Sequence, residues 1–237
     1  MLHYIDHKKM GRGVHDWLDS HFHFSFAEYF NPLNINFGAL RVINDDLVKP
    51  GKGFGAHPHE NMEIISYVVD GELTHGDSMG NRHTLTRGQV QYMSAGTGVT
   101  HSEFNLGNDT LRFLQVWILP DGRGYQPNYG DYRFEFGQRE GKWLPIATWT
   151  ENTESAAPIK IHQDVNVFAT YIKAGGTGRF SVAEGRQAYM ALIEGGAGVN
   201  GIKLAARDAL EIAEEDVEIR ASSDAHIFLV EMGKENH

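Results

Sequence analysis

Short runs of alternating or β-branched residues recur along the chain, separated by glycine, asparagine and aspartate. The runs are FGALRVI (37–43), MEIISYVV (62–69), GELTHGD (71–77), QVQYM (89–93), LRFLQVWIL (111–119), VFATYI (167–172), QAYMALIE (187–194), DALEIA (208–213), DVEIR (216–220) and HIFLVEM (226–232). Runs of this length, with turn residues every ~8–12 positions, are typical of β-sandwiches and β-barrels. Because long helical periodicity is scarce, the pattern predicts an all-β fold.

The strand pattern occurs twice. Residues 67–96 and residues 191–215 share the rhythm of strand, glycine turn, second strand, loop and third strand, with Gly71 aligned on Gly195 and Gly88 on Asp208. Two copies of one β-unit predict a duplicated barrel. We expect an N-terminal domain over residues 1–135 and a C-terminal domain over 136–237. The stretch between Pro120 and about Pro158, rich in glycine, proline and asparagine, is expected to connect them.

Composition and charge narrow the classes of partner. The chain has 237 residues, which suits one large or two modest domains, and a net charge of −10 with histidine neutral. No run of lysine or arginine offsets this charge, so we expect binding neither to nucleic acid nor to anionic membranes. The N-terminus lacks the apolar segment of a signal peptide, and we expect a cytoplasmic, soluble protein.

A possible half of a metal site lies in GKGFGAHPHENMEI, residues 51–64. His57 and His59 are two positions apart, so in a strand both side chains project from one face. Pro58 between them keeps the segment extended. An isolated pair of this kind is more often a polar strand face than a metal site.

A second pair follows in SAGTGVTHSEFN, residues 94–105. His101 and Glu103 are again two positions apart and again follow a glycine-rich turn. If the two strands are neighbours in one barrel, three nitrogens and one carboxylate surround a common point. The chain has no cysteine, so a metal would need such ligands. By ligand type the set suits iron, nickel, manganese, cobalt, copper or zinc, with positions left open for substrate.

The second half of the chain serves as an internal comparison. The alignment on Gly195 puts Ser181 and Ala183 in place of the first pair of ligands. The alignment on Asp208 puts Ala221 and Ser223 in place of the second pair. We therefore expect the C-terminal domain to lack the metal site, and the four candidate ligands to be unnecessary for folding.

Other polar residues compete for these roles. His21 and His23 alternate with phenylalanines, which predicts a strand with aromatic rings inward and imidazoles outward. Glu63 could replace the other glutamate as a ligand or contact a ligand from outside. His75 and His83 flank GDSMGN, which is most simply a solvated turn.

The two histidine segments resemble the cupin motifs. The first motif, G-x5-H-x-H-x3-E, is met by Gly51, His57, His59 and Glu63. The second is met in part by Gly88, Gly96, His101 and Asn105, with Ser94 where proline is usual and two extra residues after Gly96. These departures, together with HPHENMEI, HGDSMGN, MSAGTGVTHSE and LRVINDD, resemble the pirin family. The likeness is strong over the first half of the chain and loose over the second.

The resemblance implies a bicupin, two jelly-roll barrels in one chain, whose N-terminal barrel binds one divalent metal ion, iron first among the candidates. It implies the ligands His57, His59, His101 and Glu103, the last also acting as general base. It further implies a quercetin 2,3-dioxygenase-like enzyme that opens the central ring of a flavonol with O2 and releases CO. The expected partners are a small planar aromatic substrate and O2, and the expected state is a monomer. The alternative is a non-enzymatic metal or redox sensor that regulates a protein partner.

Overall fold

The predicted runs form strands in the computed structural model, which describes residues 1–234. The strands are β1 (Leu2–Ile5), β2 (Gly11–Val14), β3 (Leu18–Phe22), β4 (Leu40–Val48), β5 (Gly53–His59), β6 (Glu63–Asp70), β7 (Leu73–Asp77), β8 (Arg82–Leu85), β9 (Val90–Ser94), β10 (Val99–Phe104), β11 (Leu111–Ile118), β12 (Asn128–Tyr132), β13 (Leu144–Trp149), β14 (Ile159–Ile161), β15 (Val165–Ile172), β16 (Thr177–Phe180), β17 (Arg186–Glu194), β18 (Gly196–Val199), β19 (Ile202–Ala205), β20 (Ala209–Ala213), β21 (Val217–Ala221) and β22 (Ala225–Gly233). Two short 3-10 helices cover His7–Lys9 and Phe136–Arg139. The prediction of an all-β fold is confirmed.

The chain divides into two compact units. The first unit comprises Gly11–Phe136 with Ile161–Gln163, and the second comprises Met1–Met10, Gly137–Lys160 and residues 164–234 of the described chain. The expected boundary at residue 135 lies close to the end of the main segment of the first unit. It does not anticipate that the first ten residues belong to the second unit.

The two units share one sheet order. In the first unit the large sheet runs β12-β9-β6-β11-β4-β3-β2 and the small sheet β5-β10-β7-β8. In the second unit the orders are β1-β20-β17-β22-β15-β13-β14 and β16-β21-β18-β19. Gly71 and Gly195, aligned from sequence, both adopt positive φ, 79° and 83°. The predicted duplication into two cupin barrels is therefore confirmed.

Backbone hydrogen bonds show that Gly88 corresponds to a residue other than Asp208. The N–H of Gly88 donates to the carbonyl of Val68 at 2.8 Å, and the N–H of Arg207 donates to that of Leu192 at 2.6 Å. Gly88 and Arg207 also share a positive φ, 78° and 76°. The alignment of Gly88 on Asp208 is wrong by one residue, because arginine occupies the left-handed position here and hides the glycine signal.

The stretch between Pro120 and Pro158 contributes strands as well as a connection. β12 pairs with β9 at the edge of the large sheet of the first unit. β13 pairs with β15 inside the large sheet of the second unit. The composition of the stretch indicated a linker, and pairing to non-local partners overrides that composition.

The N-terminal strand completes the second unit. β1 pairs with β20 along its whole length, from Leu2 opposite Ile212 to Ile5 opposite Ala209. It occupies the edge position that β12 occupies in the first unit. A sheet edge formed by the start of the chain cannot be read from local sequence, because the partner strand lies about 200 residues away.

The apolar core of each unit lies between its two sheets. In the first unit Val68 and Phe113 of the large sheet pack with Leu73 and Leu85 of the small sheet. In the second unit Leu210 and Ile227 belong to one cluster with strand β21 of the small sheet. Within residues 1–234, neither of the helices has the length and apolar character that a membrane span needs.

Candidate metal centre

The pairing of β5 with β10 brings the two histidine segments together. His57 lies directly opposite His101, and Val99 lies opposite His59. The register shifts between His101 and Glu103, so Glu103 pairs with Phe54. Since side chains of a strand alternate, the inward face of β10 carries Val99, His101 and Glu103, all buried.

Glycines permit close backbone approaches at two places, in β5 beside β10 and in the turn that precedes β10. A Cβ on Gly53 would lie 2.3 Å from the carbonyl oxygen of Glu103, and a Cβ on Gly96 would lie 2.0 Å from the carbonyl oxygen of Tyr125. Gly96 also has a φ of 46°. Pro58 is tolerated because β5 is the edge strand of the small sheet and needs no further donor.

Three imidazoles meet at one point. The ring centroids of His57 and His101 are 4.5 Å apart, those of His57 and His59 4.8 Å, and those of His59 and His101 5.0 Å. One nitrogen from each ring lies within 4.8 Å of the other two. The predicted convergence of the three histidines is therefore present in the structure.

The protonation of these rings suits a cation. Nδ1 of His57 lies 2.7 Å from the carbonyl oxygen of Gly55, which can only accept, so the proton is on Nδ1 and Nε2 carries a lone pair. That Nε2 lies 3.1 Å from Nε2 of His101. Nε2 of His59 is buried and finds no hydrogen-bond partner among residues 1–234. Two imidazole nitrogens in close approach, beside a buried nitrogen that lacks a donor, fit a metal ion.

Burial also keeps the other two imidazoles neutral. It lowers the pKa of His59 to about 4, and the neighbouring His101 and His57 add to this effect. Burial, with His57 and His75 nearby, lowers the pKa of His101 to about 3. Both rings are therefore unprotonated near neutral pH, as a metal ligand must be.

Glu103 lies apart from the close group of ligand nitrogens, although it lines the same cavity. Its Oε1 accepts hydrogen bonds from Ser66 at 2.6 Å and Gln91 at 2.7 Å, and its Oε2 accepts one from Gln115 at 2.5 Å. A carboxylate oxygen has two lone pairs, so Oε2 keeps one available. The three donors fix the carboxylate without using all of its capacity.

No sequence motif marks these three donors. Gln91 pairs with Ser66, and Ser66 with Gln115, so they form a row across β9, β6 and β11. Each is a polar residue within an otherwise apolar strand and each is buried. That exception to the hydrophobic pattern was the available signal, since buried polar groups require partners.

Glu63 does not join the three histidines. Its Oε1 accepts a hydrogen bond from Ser94 at 2.8 Å and lies 3.1 Å from Nδ1 of His162, whose ring stacks on Tyr125 at 3.8 Å. Burial raises the pKa of Glu63, against the lowering effect of Ser94 and His162. The structure therefore gives Glu63 polar contacts other than the candidate ligands.

The GDSMGN segment ends in an exposed turn, as expected, but His75, which flanks it, is not solvated. It is buried, its Nε2 lies 2.8 Å from Asp77, and its ring stacks on Tyr129 at 4.4 Å. Its centroid is 5.5 Å from that of His101. The sequence pattern missed this placement because β7 pairs with β10, which brings His75 opposite Glu103.

The expectation of outward imidazoles around residue 22 is wrong for His23. His23 is 2% exposed, Phe22 is 5% exposed, and Phe24 is 1% exposed. Regular alternation fails because β3 ends at Phe22, so the two-residue period of a strand does not extend to His23 and Phe24. Burial lowers the pKa of His23 to about 4.

A cavity of about 350 Å³ opens beside the candidate ligands. Most of its surface is formed by aromatic and apolar atoms, although half of the lining residues are polar. It comprises Gly13, His15, Trp17, Leu18, Ser20, Phe22, Phe26, Ala27, Asn44, Asp46, Phe54, His57, His59, Glu103, Gln115 and Trp117. Such a lining is typical of a small-molecule site.

Strand register identifies the equivalent positions in the second unit. His75 lies four residues after Gly71 and pairs with Glu103, while Val199 lies four residues after Gly195 and pairs with Ile219. Ile219 therefore corresponds to Glu103. Two residues earlier, Val217 corresponds to His101 and pairs with Phe180, as His101 pairs with His57.

The residues that replace the ligands are thus apolar. Val182, two positions after Phe180, completes the set, and Val182, Val217 and Ile219 belong to the core of the second unit. The assignment of Ser181 and Ala183 is wrong by one residue, which exchanges the two faces of the strand. The assignment of Ala221 and Ser223 is wrong by four residues, because the chain between the aligned turn and β21 is shorter than its counterpart in the first unit.

Another group of metal-ligand type in residues 1–234 comprises Asp6, His7 and Asp208 in the second unit. Asp208 accepts hydrogen bonds from the backbone and ring of His7, from Tyr4 and from the backbone of Ala205. Its oxygens are thus occupied by protein donors, and the group attaches the first residues to the barrel.

Comparison with known proteins agrees with the fold. A family model for pirin matches residues 5–118, and a model for the quercetinase C-terminal cupin domain matches 150–232. A pirin-like protein of Caulobacter vibrioides is 43% identical over 231 residues, 96% of this chain and 99% of that protein. A quercetin 2,3-dioxygenase of Escherichia coli (strain K12) is 37% identical over 98% of this chain and 99% of that protein.

A solved structure of a related protein has the same fold. The crystal structure of the bacterial pirin YhhW of Escherichia coli in complex with nickel(II) matches with a TM-score of 0.90 and 34% identity, covering 99% of this chain and all of that one. The two cupin units, the three converging imidazoles and the similarity along almost the whole chain lead to one conclusion: this chain belongs to the pirin family.

Proposed function

We propose that the chain is a metal-dependent dioxygenase that opens the central ring of a flavonol such as quercetin and releases carbon monoxide. In this proposal one divalent transition-metal ion is held by His57, His59, His101 and Glu103. The observation that carries the proposal is that three imidazoles converge on one point, and that two of them, His57 and His59, line an aromatic cavity together with the anchored carboxylate of Glu103. A relative named quercetin 2,3-dioxygenase supports the choice of substrate.

The donor set supports a transition metal. Three imidazole nitrogens and one carboxylate oxygen are borderline ligands that suit iron, nickel, cobalt, manganese, copper or zinc. Four protein ligands leave positions open on a six-coordinate ion, as a catalytic site requires. When bound, the ion supplies a Lewis acid that lowers the pKa of a coordinated hydroxyl group.

Glu103 is the proposed base. Its Oε2 accepts one hydrogen bond, from Gln115, and the one lone pair that remains would hold the ion before substrate binds and, once released, would take the proton of the flavonol 3-hydroxyl. The three donors of Ser66, Gln91 and Gln115 hold the carboxylate in place while the proton moves. In the overall reaction C2–C3 and C3–C4 break, C3 leaves as CO, and both oxygen atoms of O2 remain in the ester product, to which Glu103 returns its proton.

The test is oxygen uptake. We expect protein loaded separately with each of the six divalent metals to consume O2 and release CO with quercetin in at least one case. A His57→Ala variant loses the lone pair that Gly55 orients and should lose at least about a hundredfold in activity, as for a lost metal ligand. Metal analysis of protein purified without added metal identifies the resident ion.

His3→Ala is the matched control, because His3 is an exposed histidine that contacts Glu211 in the second unit. It should retain wild-type uptake and metal content. Bound metal with no O2 consumption for any of the six ions contradicts the dioxygenase and favours the non-enzymatic sensor. Full activity in His57→Ala contradicts the proposed ligand set.

A further inference from the structure

Aromatic rings form much of the cavity lining. Phe26 contacts Phe22 and Trp117, with centroids 5.3 and 5.4 Å away, and Trp17 contacts Phe54 at 5.2 Å. Large, flat side chains held against one another suit a flat, aromatic ligand. This lining does not explain the polar residues that face the same space.

One of these polar residues, Asn44, extends the row of buried polar side chains that contact Glu103. Gln115 on β11 pairs in register with Asn44 on β4, so Asn44 is the next member after Gln91, Ser66 and Gln115. The first three members donate hydrogen bonds to Glu103. Asn44 is one strand further along, and it lines the cavity.

Asn44 has an unmatched acceptor. The residue is 3% exposed, and its side-chain oxygen Oδ1 is buried with no hydrogen-bond partner in the part of the chain that the structure describes. A buried acceptor without a donor destabilises the folded protein, so an isolated one calls for an explanation. A ligand hydroxyl in the cavity would supply the missing donor.

Asp46 provides a second polar group on the same face. It lies two residues after Asn44 in β4, is 2% exposed, lines the cavity, and accepts a hydrogen bond from Ser20. Asp45 between them takes the opposite face and binds Arg112 at 2.8 and 2.6 Å. Burial raises the pKa of Asp46 to about 7, and either protonation state can bond to a phenol.

We propose that Asn44 and Asp46 bind a ring hydroxyl of the substrate, other than the hydroxyl that faces the histidines, and thereby select hydroxylated flavonols over unsubstituted ones. The inference rests on the proposed function for its ligand class. It adds a contact that distinguishes quercetin, which carries several ring hydroxyls, from 3-hydroxyflavone, which carries only the 3-hydroxyl. A site built to pair with a hydroxyl discriminates against ligands that lack it.

The experiment measures binding to metal-free protein by quenching of tryptophan fluorescence, since Trp17 and Trp117 line the cavity. We expect wild-type protein to bind quercetin at least about tenfold tighter than 3-hydroxyflavone, as for one or more hydrogen bonds. Asn44→Leu should reduce this ratio by about tenfold, chiefly through weaker quercetin binding. Asn44→Asp, which keeps an acceptor, should retain most of the ratio.

Asn36→Leu, an exposed asparagine whose side chain bonds to Gly38, is the matched control and should leave the ratio unchanged. Thermal melts and metal content check that each variant folds. An equal loss with both flavonols in Asn44→Leu and Asn44→Asp overturns the inference, since Asn44 would then only shape the cavity. Because the assay needs no turnover, absence of dioxygenase activity with a preserved binding ratio would contradict the proposed function alone.

Discussion

The environment of each histidine decides where its ring carries a proton and whether a ring nitrogen can bind a metal ion. His57 has its Nδ1 proton fixed by the carbonyl of Gly55, which leaves Nε2 as a ligand atom. His101 and His59 are kept neutral by burial and by the neighbouring imidazoles. His23, outside the candidate site, is just as strongly desolvated. One residue type therefore serves two purposes, binding and packing.

Buried His23 should make the metal-free protein sensitive to acid. Its pKa falls from 6.5 to about 4 on folding, so between these values the unfolded chain binds the proton and the folded chain does not. Stability is thus lost as pH falls through this window, by about 3 kcal/mol from this group. We expect the stability difference between wild type and His23→Gln to shrink by that amount in urea titrations from pH 7.5 to 4.

Phe24→Leu is the control for this measurement, since Phe24 is a buried neighbour without a titratable group. Its effect on the free energy of unfolding should be the same at each pH. A constant difference between wild type and His23→Gln across the window would show that His23 is protonated equally in both states, and the prediction would be wrong.

Single strands and their edges set the architecture of each unit. β5 carries two histidines but supplies no site until it pairs with β10. β1 closes the edge of the second unit, where Asp208 receives hydrogen bonds from His7, Tyr4 and Ala205. Burial alone would raise the pKa of Asp208, but these hydrogen bonds lower it below the ordinary value. The Asp208 carboxylate therefore holds the segment after β1 against the barrel through these hydrogen bonds.

Asp208→Ala should release β1. The variant leaves several partly buried donors without an acceptor, and we expect a loss of about 2–4 kcal/mol in the stability of the second unit. Amide hydrogen exchange should accelerate in β1 and β20 and remain unchanged in β6 and β11 of the first unit. Asp16→Ala, a carboxylate on a 97% exposed side chain, should change neither. Unchanged amide exchange in β1 would contradict the claim that Asp208 holds this strand in place.

At the scale of the whole chain, one barrel architecture is used in two ways. The same sheet order appears in both units. In the first, inward positions of β5 and β10 hold imidazoles and a carboxylate. In the second, the corresponding positions hold Phe180, Val182, Val217 and Ile219, which fill the interior with apolar side chains. The fold therefore tolerates either a polar site or a core there.

Metal binding should consequently stabilise the first unit and leave the second unit unchanged. We expect one ion per chain by metal analysis, and protection from hydrogen exchange on metal addition in β5 and β10 but not in β16 and β21. Ile219→Ala should lower the stability of the second unit by about 2–5 kcal/mol, the usual cost of truncating a buried isoleucine, and leave metal affinity unchanged. Two ions of similar affinity per chain, or weaker metal binding in Ile219→Ala, would disprove this division.

Much of the fold follows from local pattern. The strand runs, the twofold rhythm and the shared face of His57 and His59 depend on the two-residue period of an extended chain, which is a property of neighbouring residues. The three-histidine group was predictable for that reason, once two such pairs were present. The donors around Glu103 were visible only as exceptions, polar residues within apolar strands.

Other features depend on contacts that no local pattern contains. His57 meets His101 across 44 residues of sequence, β1 pairs with a strand of the second unit, and His75 is buried because β7 lies beside β10. Register between strands is set by the packing of whole faces, so alignment on turn residues misplaced the counterparts of the ligands by one residue in one strand and by four in the other. Periodicity along a strand is encoded by adjacent side chains, whereas the choice of neighbour is settled by burial over the entire sheet.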